Sequence, residues 1–213
     1  MNRKKTIAAA IVLALVLLIG SMLAYFTDTD KATNVFTLGD EINISVIENN
    51  AWTEGTTENQ YTNPNAENIH PGATVSKEPS IKNESTTTPA YVFVEVIVPC
   101  YASTGTTADT PLFTLNNIGS GWAKISSDET VNTTDKTITY IYAYASSASG
   151  PMTSLAKEAT TTPVFTTVTL APTLTAEQKA TAPSNTNIVV NGYGIQIDNL
   201  GSTNPNTIYG MTH

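Results

Sequence analysis

The chain has 213 residues, with 18 acidic against 10 basic side chains and a net charge of −8. That balance argues against nucleic acid or an anionic membrane surface as a partner, since both reward basic patches. One cysteine, Cys100, excludes an internal disulfide framework, so stability has to come from an apolar core.

The N-terminus reads as an export signal. Arg3, Lys4 and Lys5 precede the uncharged run Ile7–Leu23, and the small residue Ala24 follows it. The run falls short of the roughly 20 residues of a comfortable membrane span, and Gly20 and Ser21 weaken it. We expect residues 1–24 to be a signal peptide cut between Ala24 and Tyr25. Met22 departs from the small residue usual at the minus-three position, and an uncleaved single-span anchor is the alternative. Cleavage would leave 25–213 as a single, still more acidic domain. No cysteine follows the run, which excludes a lipoprotein anchor. The ending NPNTIYGMTH lacks the hydrophobic stretch and basic tail of a sorted wall protein. The expected location is therefore extracellular, with no membrane attachment after cleavage.

Beyond Tyr25 the composition favours strands, rich in Thr, Val, Ile and Tyr, whose branched or flat side chains suit a pleated surface. Phe36, Leu38, Ile42, Ile44 and Val46 share even positions, as one buried strand face requires. Pro79 in VSKEPSI cannot donate to a ladder, which places that strand at an edge or bulge. In PAYVFVEVIVPC, Val92, Val94, Val96 and Val98 form one face while Tyr91, Phe93 and Ile97 fill the other, predicting a central strand covered on both sides. Ile138, Tyr140, Tyr142 and Tyr144 repeat the alternation, as do Val164, Val168 and Leu170, and then Tyr193, Ile195 and Ile197. Ala51–His70, Ala102–Ala108, Ser146–Thr162 and Gly201–Thr207 read as loops. One helix is expected around Thr175–Ala180, where Thr175 and Gln178 have capping-box spacing. The fold class is all-β: a jelly-roll β-sandwich with long loops and at most one or two short helices.

The chemistry-bearing residues are sparse. A zinc protease commonly sets two histidines on one helix face around a glutamate. Here the two histidines are His70, before a Pro-Gly turn, and His213 at the end, so no such motif exists. A serine nucleophile would lack both a histidine partner and a Gly-x-Ser-x-Gly elbow. No catalytic, cofactor-binding or metal residue is assigned, and no cofactor is expected. Trp52 and Trp122 lie in polar segments where a ring could stack on a sugar, yet each more often caps a core. The stripe Tyr140, Tyr142, Tyr144 is expected to pack inward with its hydroxyls at the rim. Asp28 and Asp30 lack the glycine and distal glutamate of a calcium loop and read as solvated acids. Cys100 reads as a small buried hydrophobe.

AYFTDTDKATNVFTLG, Ala24–Gly39, resembles the signal-to-mature junction of the TasA/camelysin family of Gram-positive bacteria. HPGATVSKEPSIKNESTTTPAYVFVEVIV, His70–Val98, is similar to the family's stretch of Pro-Gly, Asn and long apolar strand. PVFTTVTL and GYGIQI resemble its later strands. The resemblance implies a jelly-roll subunit, export with cleavage by an ER-type signal peptidase, and fibres in a biofilm matrix. It also implies that Tyr25–Leu38 is a donor strand lying in a groove of the next subunit, with Phe26, Phe36 and Leu38 able to share one face. The expected partner is then a second copy or a related fibre subunit. Relatives have also been described as metallopeptidases, an activity that the residues here do not support. The alternatives are that Tyr25–Asp30 frays while Phe36–Val46 is the subunit's own first strand, or that the protein is a monomeric adhesive module for a sugar or protein.

Overall fold

The computed structural model describes residues 27–29, 42–48, 53–54, 61–105, 107–125 and 130–212. The chain forms β1 (Thr27–Thr29), β2 (Ile44–Glu48), a short ribbon of β3 (Thr53–Glu54) and β4 (Tyr61–Thr62), β5 (Thr74–Ser76), β6 (Pro79–Asn83) and the long β7 (Ala90–Tyr101). Then come β8 (Thr110–Pro111), β9 (Phe113–Asn116), β10 (Trp122–Lys124), β11 (Thr130–Asn132), β12 (Thr137–Tyr144) and β13 (Thr167–Leu170). Helix α1 (Ala176–Thr181), β14 (Val189–Gln196) and helix α2 (Pro205–Tyr209) complete the described elements.

Two layers result. In the first, the strand order is β1-β14-β7-β12-β10, with β11 also on β12 and β8 on β7. The second begins with β5-β13-β9 and the pair β2-β6. Backbone bonds join these into one irregular sheet: Lys77 N to Thr166 O at 3.1 Å, Val164 N to Pro79 O at 2.8 Å, and Asn83 N to Ala159 O at 2.9 Å. Residues 159–170 thus run antiparallel along β6 and β5 in turn. The pairings nest: β7 with β12 inside, β5 and β6 with 159–170 around them, and β2 packed against β14 outermost. That nesting is the jelly-roll wrap.

The inner core lies between the layers. Val92, Val94, Val96 and Val98 of β7 meet Ile81, Ile138, Val164 and Phe165, all fully buried. On the outer face of the first sheet, Tyr91, Phe93, Ile141, Ala143 and Ile195 form a second cluster with Met152 and with Ile208 of α2. The Phe93 and Tyr209 rings are 5.5 Å apart. β7 is therefore central and covered on both faces, as its alternation predicts, although Ile97 is only half-buried. Each fully buried valine contributes on the order of 1.5–3 kcal/mol.

Both helices are set by their caps. The Thr175 hydroxyl accepts from Gln178 N at 3.2 Å while Gln178 Oε1 accepts from Thr175 N at 2.9 Å, the reciprocal box expected from the spacing. Helix α2 corrects the loop expected at Gly201–Thr207. Asn204 caps it by accepting from Asn206 N and Thr207 N, and Pro205 occupies the first turn. Two further expectations change. Ala51–His70 contains the β3–β4 ribbon and a 3-10 turn, Pro64–Ala66. Of the two placements expected for Pro79, an edge or a bulge, the edge is the one that fails: Pro79 opens β6, which lies between β2 and 159–164, after a break in the ladder at Lys77 and Glu78. A strand's first residue tolerates the missing N–H.

Candidate functional site

The strongest candidate for a site is the margin of the first sheet at β14. This strand pairs with β7 along its whole length, from Val189 opposite Ile97 to Gln196 opposite Ala90. On its other side β1 covers three residues, Thr27 opposite Ile195, Asp28 opposite Gly194 and Thr29 opposite Tyr193. Among the described residues no strand pairs the outer edge from Val189 to Gly192. Val189 is exposed there at 44%. An uncovered row of backbone N–H and C=O groups is a template for a further strand.

The inner face of β14 is shaped by two glycines. A Cβ at Gly192 would lie 2.9 Å from Ile81 Cδ1 and 3.0 Å from Val46 Cγ2. At Gly194 it would lie 3.0 Å from Ile44 Cγ2 and 3.1 Å from Ile42 Cγ2. Without side chains at these positions, β2 crosses closely over β14 and its even-numbered face packs onto the sheet, as the alternation of Ile42, Ile44 and Val46 predicts. The far end of β2 is fixed by a buried ion pair between Glu48 and Lys77, whose side chains are 3% and 7% exposed. Glu78 N also donates to Glu48 Oε2 at 3.3 Å.

The outer face beside the edge carries a polar group. Glu95 of β7 is half-buried, and its Oε2 accepts from Asn191 Nδ2 at 2.7 Å and from the Tyr193 hydroxyl at 3.1 Å. Its other oxygen accepts no hydrogen bond from a described residue. Burial, and then the negative charge of Glu95, push the Tyr193 phenol well above its ordinary value. Tyr209 is raised by the same two causes in the same order. The alternation of β14 marks one face, but the Glu95–Asn191–Tyr193 contact depends on the β7–β14 register, which no local pattern in either strand specifies.

The other singled-out residues fall mainly into structural roles. Trp122 is buried, donates its indole N–H to Thr162 O at 2.8 Å and lies against the Tyr144 ring at 5.2 Å, so it caps the core. Tyr140 and Tyr142 point inward and are buried, and Lys124 Nζ sits 4.5 Å above the Tyr140 ring. Cys100 is fully buried, with Sγ donating to Ala108 O at 3.3 Å; burial raises its thiol. His70 is exposed and begins a turn closed by Ala73 N donating to its carbonyl at 2.9 Å. Asp28 lies in β1. Ala24, Tyr25, Phe26, Asp30, Phe36, Leu38, Trp52 and His213 lie outside the described residues.

The fold defines an all-β jelly-roll protein, and its β14 margin is paired over only three residues among those described. Residues 2–98 match the model of the family described as camelysin metallo-endopeptidase, which shows the camelysin resemblance over that part of the chain. No curated protein and no solved structure matches. The family description implies a metal, and the described residues do not fit one. No group of three or more His, Cys, Asp or Glu side chains among them comes together as a ligand set. Within that set the sole histidine, His70, stands in an exposed turn.

Proposed function

We infer that this is an exported, non-enzymatic structural protein whose subunits join outside the cell, as matrix fibres, by strand addition. The segment Tyr25–Leu38 of one subunit would lie along β14 of the next. One observation carries the reading: β14 already takes Thr27–Thr29 as an antiparallel neighbour, in a defined register and at a margin whose remaining edge no described strand pairs. Backbone hydrogen bonds give such an added strand its affinity, and alternate side chains give it register. The same pairing serves within one chain or between two, which is the condition for exchanging a strand between copies. Phe26, Phe36 and Leu38 would add about 1.5–3 kcal/mol each on full burial. Cleavage after Ala24 would free the segment from the membrane and so gate assembly.

The test is light scattering over days of a chain beginning at Tyr25 beside one beginning at Gly39. Growth of large particles by the first alone supports strand donation. Equal growth removes the segment from the mechanism, and two stable monomers favour the adhesive-module reading. A Thr29→Cys/Tyr193→Cys pair in a Cys100→Ala background adds the geometry, because paired residues on neighbouring strands lie within disulfide reach. Oxidised multimers report pairing between copies, and an oxidised monomer reports pairing within one.

A further inference from the structure

We propose that Glu48 and Lys77 condense into an amide, a covalent staple between the end of β2 and the break that separates β5 from β6. The staple does not depend on strand addition. Both side chains are buried, and Lys77 Nζ is in direct contact with Glu48 Oε1. Burial withholds water from both charges, and condensation removes them. By contrast the Lys82–Glu84 pair is 39% and 36% exposed, so water solvates both groups and competes with any attack.

The backbone holds both reactants in place. Glu48 stands opposite Pro79 at the end of the β2–β6 ladder, and Lys77 N donates to Thr166 O at 3.1 Å. An amine and an acyl carbon fixed side by side need no bimolecular encounter, an advantage that reaches effective molarities of about 10⁵–10⁸ M in well-oriented cases. The two carboxylate oxygens are also distinguished. Oε1 touches the lysine, while Oε2 accepts from Glu78 N at 3.3 Å. A backbone N–H aimed at Oε2 stabilises the negative charge that develops there when the carbon becomes tetrahedral.

The step balances within the pair. The ammonium gives one proton to Oε1, leaving a neutral amine beside a neutral acid. The amine nitrogen then bonds to Glu48 Cδ, and the carbonyl electron pair moves onto Oε2. A second proton passes from nitrogen to Oε1, the Cδ–Oε1 bond breaks, and Oε1 leaves as water while the Cδ–Oε2 double bond re-forms. No oxidant, reductant or further reactant enters. The bond closes residues 48–77 into a ring. A pull on β2 then passes from Glu48 to Lys77 and bypasses the chain between them, in a protein whose single cysteine rules out an internal disulfide.

The experiment is the intact mass of the purified chain, taken after several days at neutral pH. We expect a value below that of the sequence from its own N-terminus by one water, about 18 Da. Trypsin cannot cut after an acylated lysine, so the peptide carrying both residues should run on through Lys77 to Lys82 and hold the whole deficit. Lys77→Arg keeps the positive charge, loses the attacking amine and should show the full mass. Mass is read on the denatured chain, so a variant that folds poorly is still scored. Full mass in the unsubstituted chain overturns the staple and leaves a buried ion pair. A deficit that persists in Lys77→Arg, or that maps outside this peptide, overturns it as well.

Discussion

β7 and β14 are neighbours in one sheet and are built for opposite purposes. Where β7 presents Val92 and Val94 to the core, the residues directly opposite on β14 are Gly194 and Gly192. β7 is enclosed by β12 and β14 on its edges and by a packed cluster on each face. Among the described residues β14 has one fully paired edge, one edge with three paired residues, and an inner face filled by the side chains of another strand. One sheet thus combines a strand enclosed on every side and a strand that a three-residue neighbour covers in part among the described residues. Local stability in proteins varies in this way, and segments that bind come from its lower end.

The contrast can be broken first at its strong side. Phe93→Ala empties a fully buried site on the outer face of β7 and should cost about 3–5 kcal/mol, read as a fall in the urea midpoint. Glu48→Ala removes a carboxylate that ion-pairs with the buried Lys77 ammonium and accepts from Glu78 N, and should cost up to about 3–5 kcal/mol. Gly194→Val acts on the margin. It drives a side chain into Ile42 and Ile44, and about 1–3 kcal/mol of overpacking should lift β2 from the sheet. Loss of amide protection should then concentrate in β2 and β14 and leave β7 and β12 protected. Uniform loss would show that the margin is not a separate unit.

Alkaline titration sharpens the comparison with a smaller effect. The fold keeps Tyr193 and Tyr209 protonated above the ordinary phenol value of about 10, so the unfolded chain gives up these protons first. Stability is therefore fully retained below about pH 10 and falls as the pH rises beyond it, by about 1 kcal/mol per unit for one such group. Tyr193→Phe should flatten that fall in pH-dependent urea unfolding. Trp122→Phe, far from β14, removes the hydrogen bond to Thr162 O and should cost about 1 kcal/mol.

The sequence was most legible where burial is one-sided or complete. Alternating valines in β7, the inward tyrosines of β12 and the Thr175–Gln178 box all express local geometry in residue spacing. It was less legible where partners are distant in the chain. Phe165 is fully buried beside Val164, but the segment up to Thr166 runs irregularly and β13 begins only at Thr167, so no period-two pattern marks it. β10 is short and flanked by Gly121, which hid the strand around Trp122. Gly192 and Gly194 add nothing to the alternation of β14, and only the approach of Ile42, Ile44 and Val46 explains them. The start of α2 reads as loop because Gly201, Ser202 and Asn204 resemble turn residues, although Asn204 followed by Pro205 is also an N-cap with a proline in the first turn.

Cys100 lies at the end of β7, facing the core. A thiol reagent cannot reach its sulfur until the two layers part, so alkylation of the native protein runs as a clock on that parting. On the strand-addition reading proposed above, an exchanged strand would slow the clock only as far as it stabilises the whole sandwich. One mass increment, followed over hours, would therefore tell whether assembly tightens the interior or merely decorates its rim.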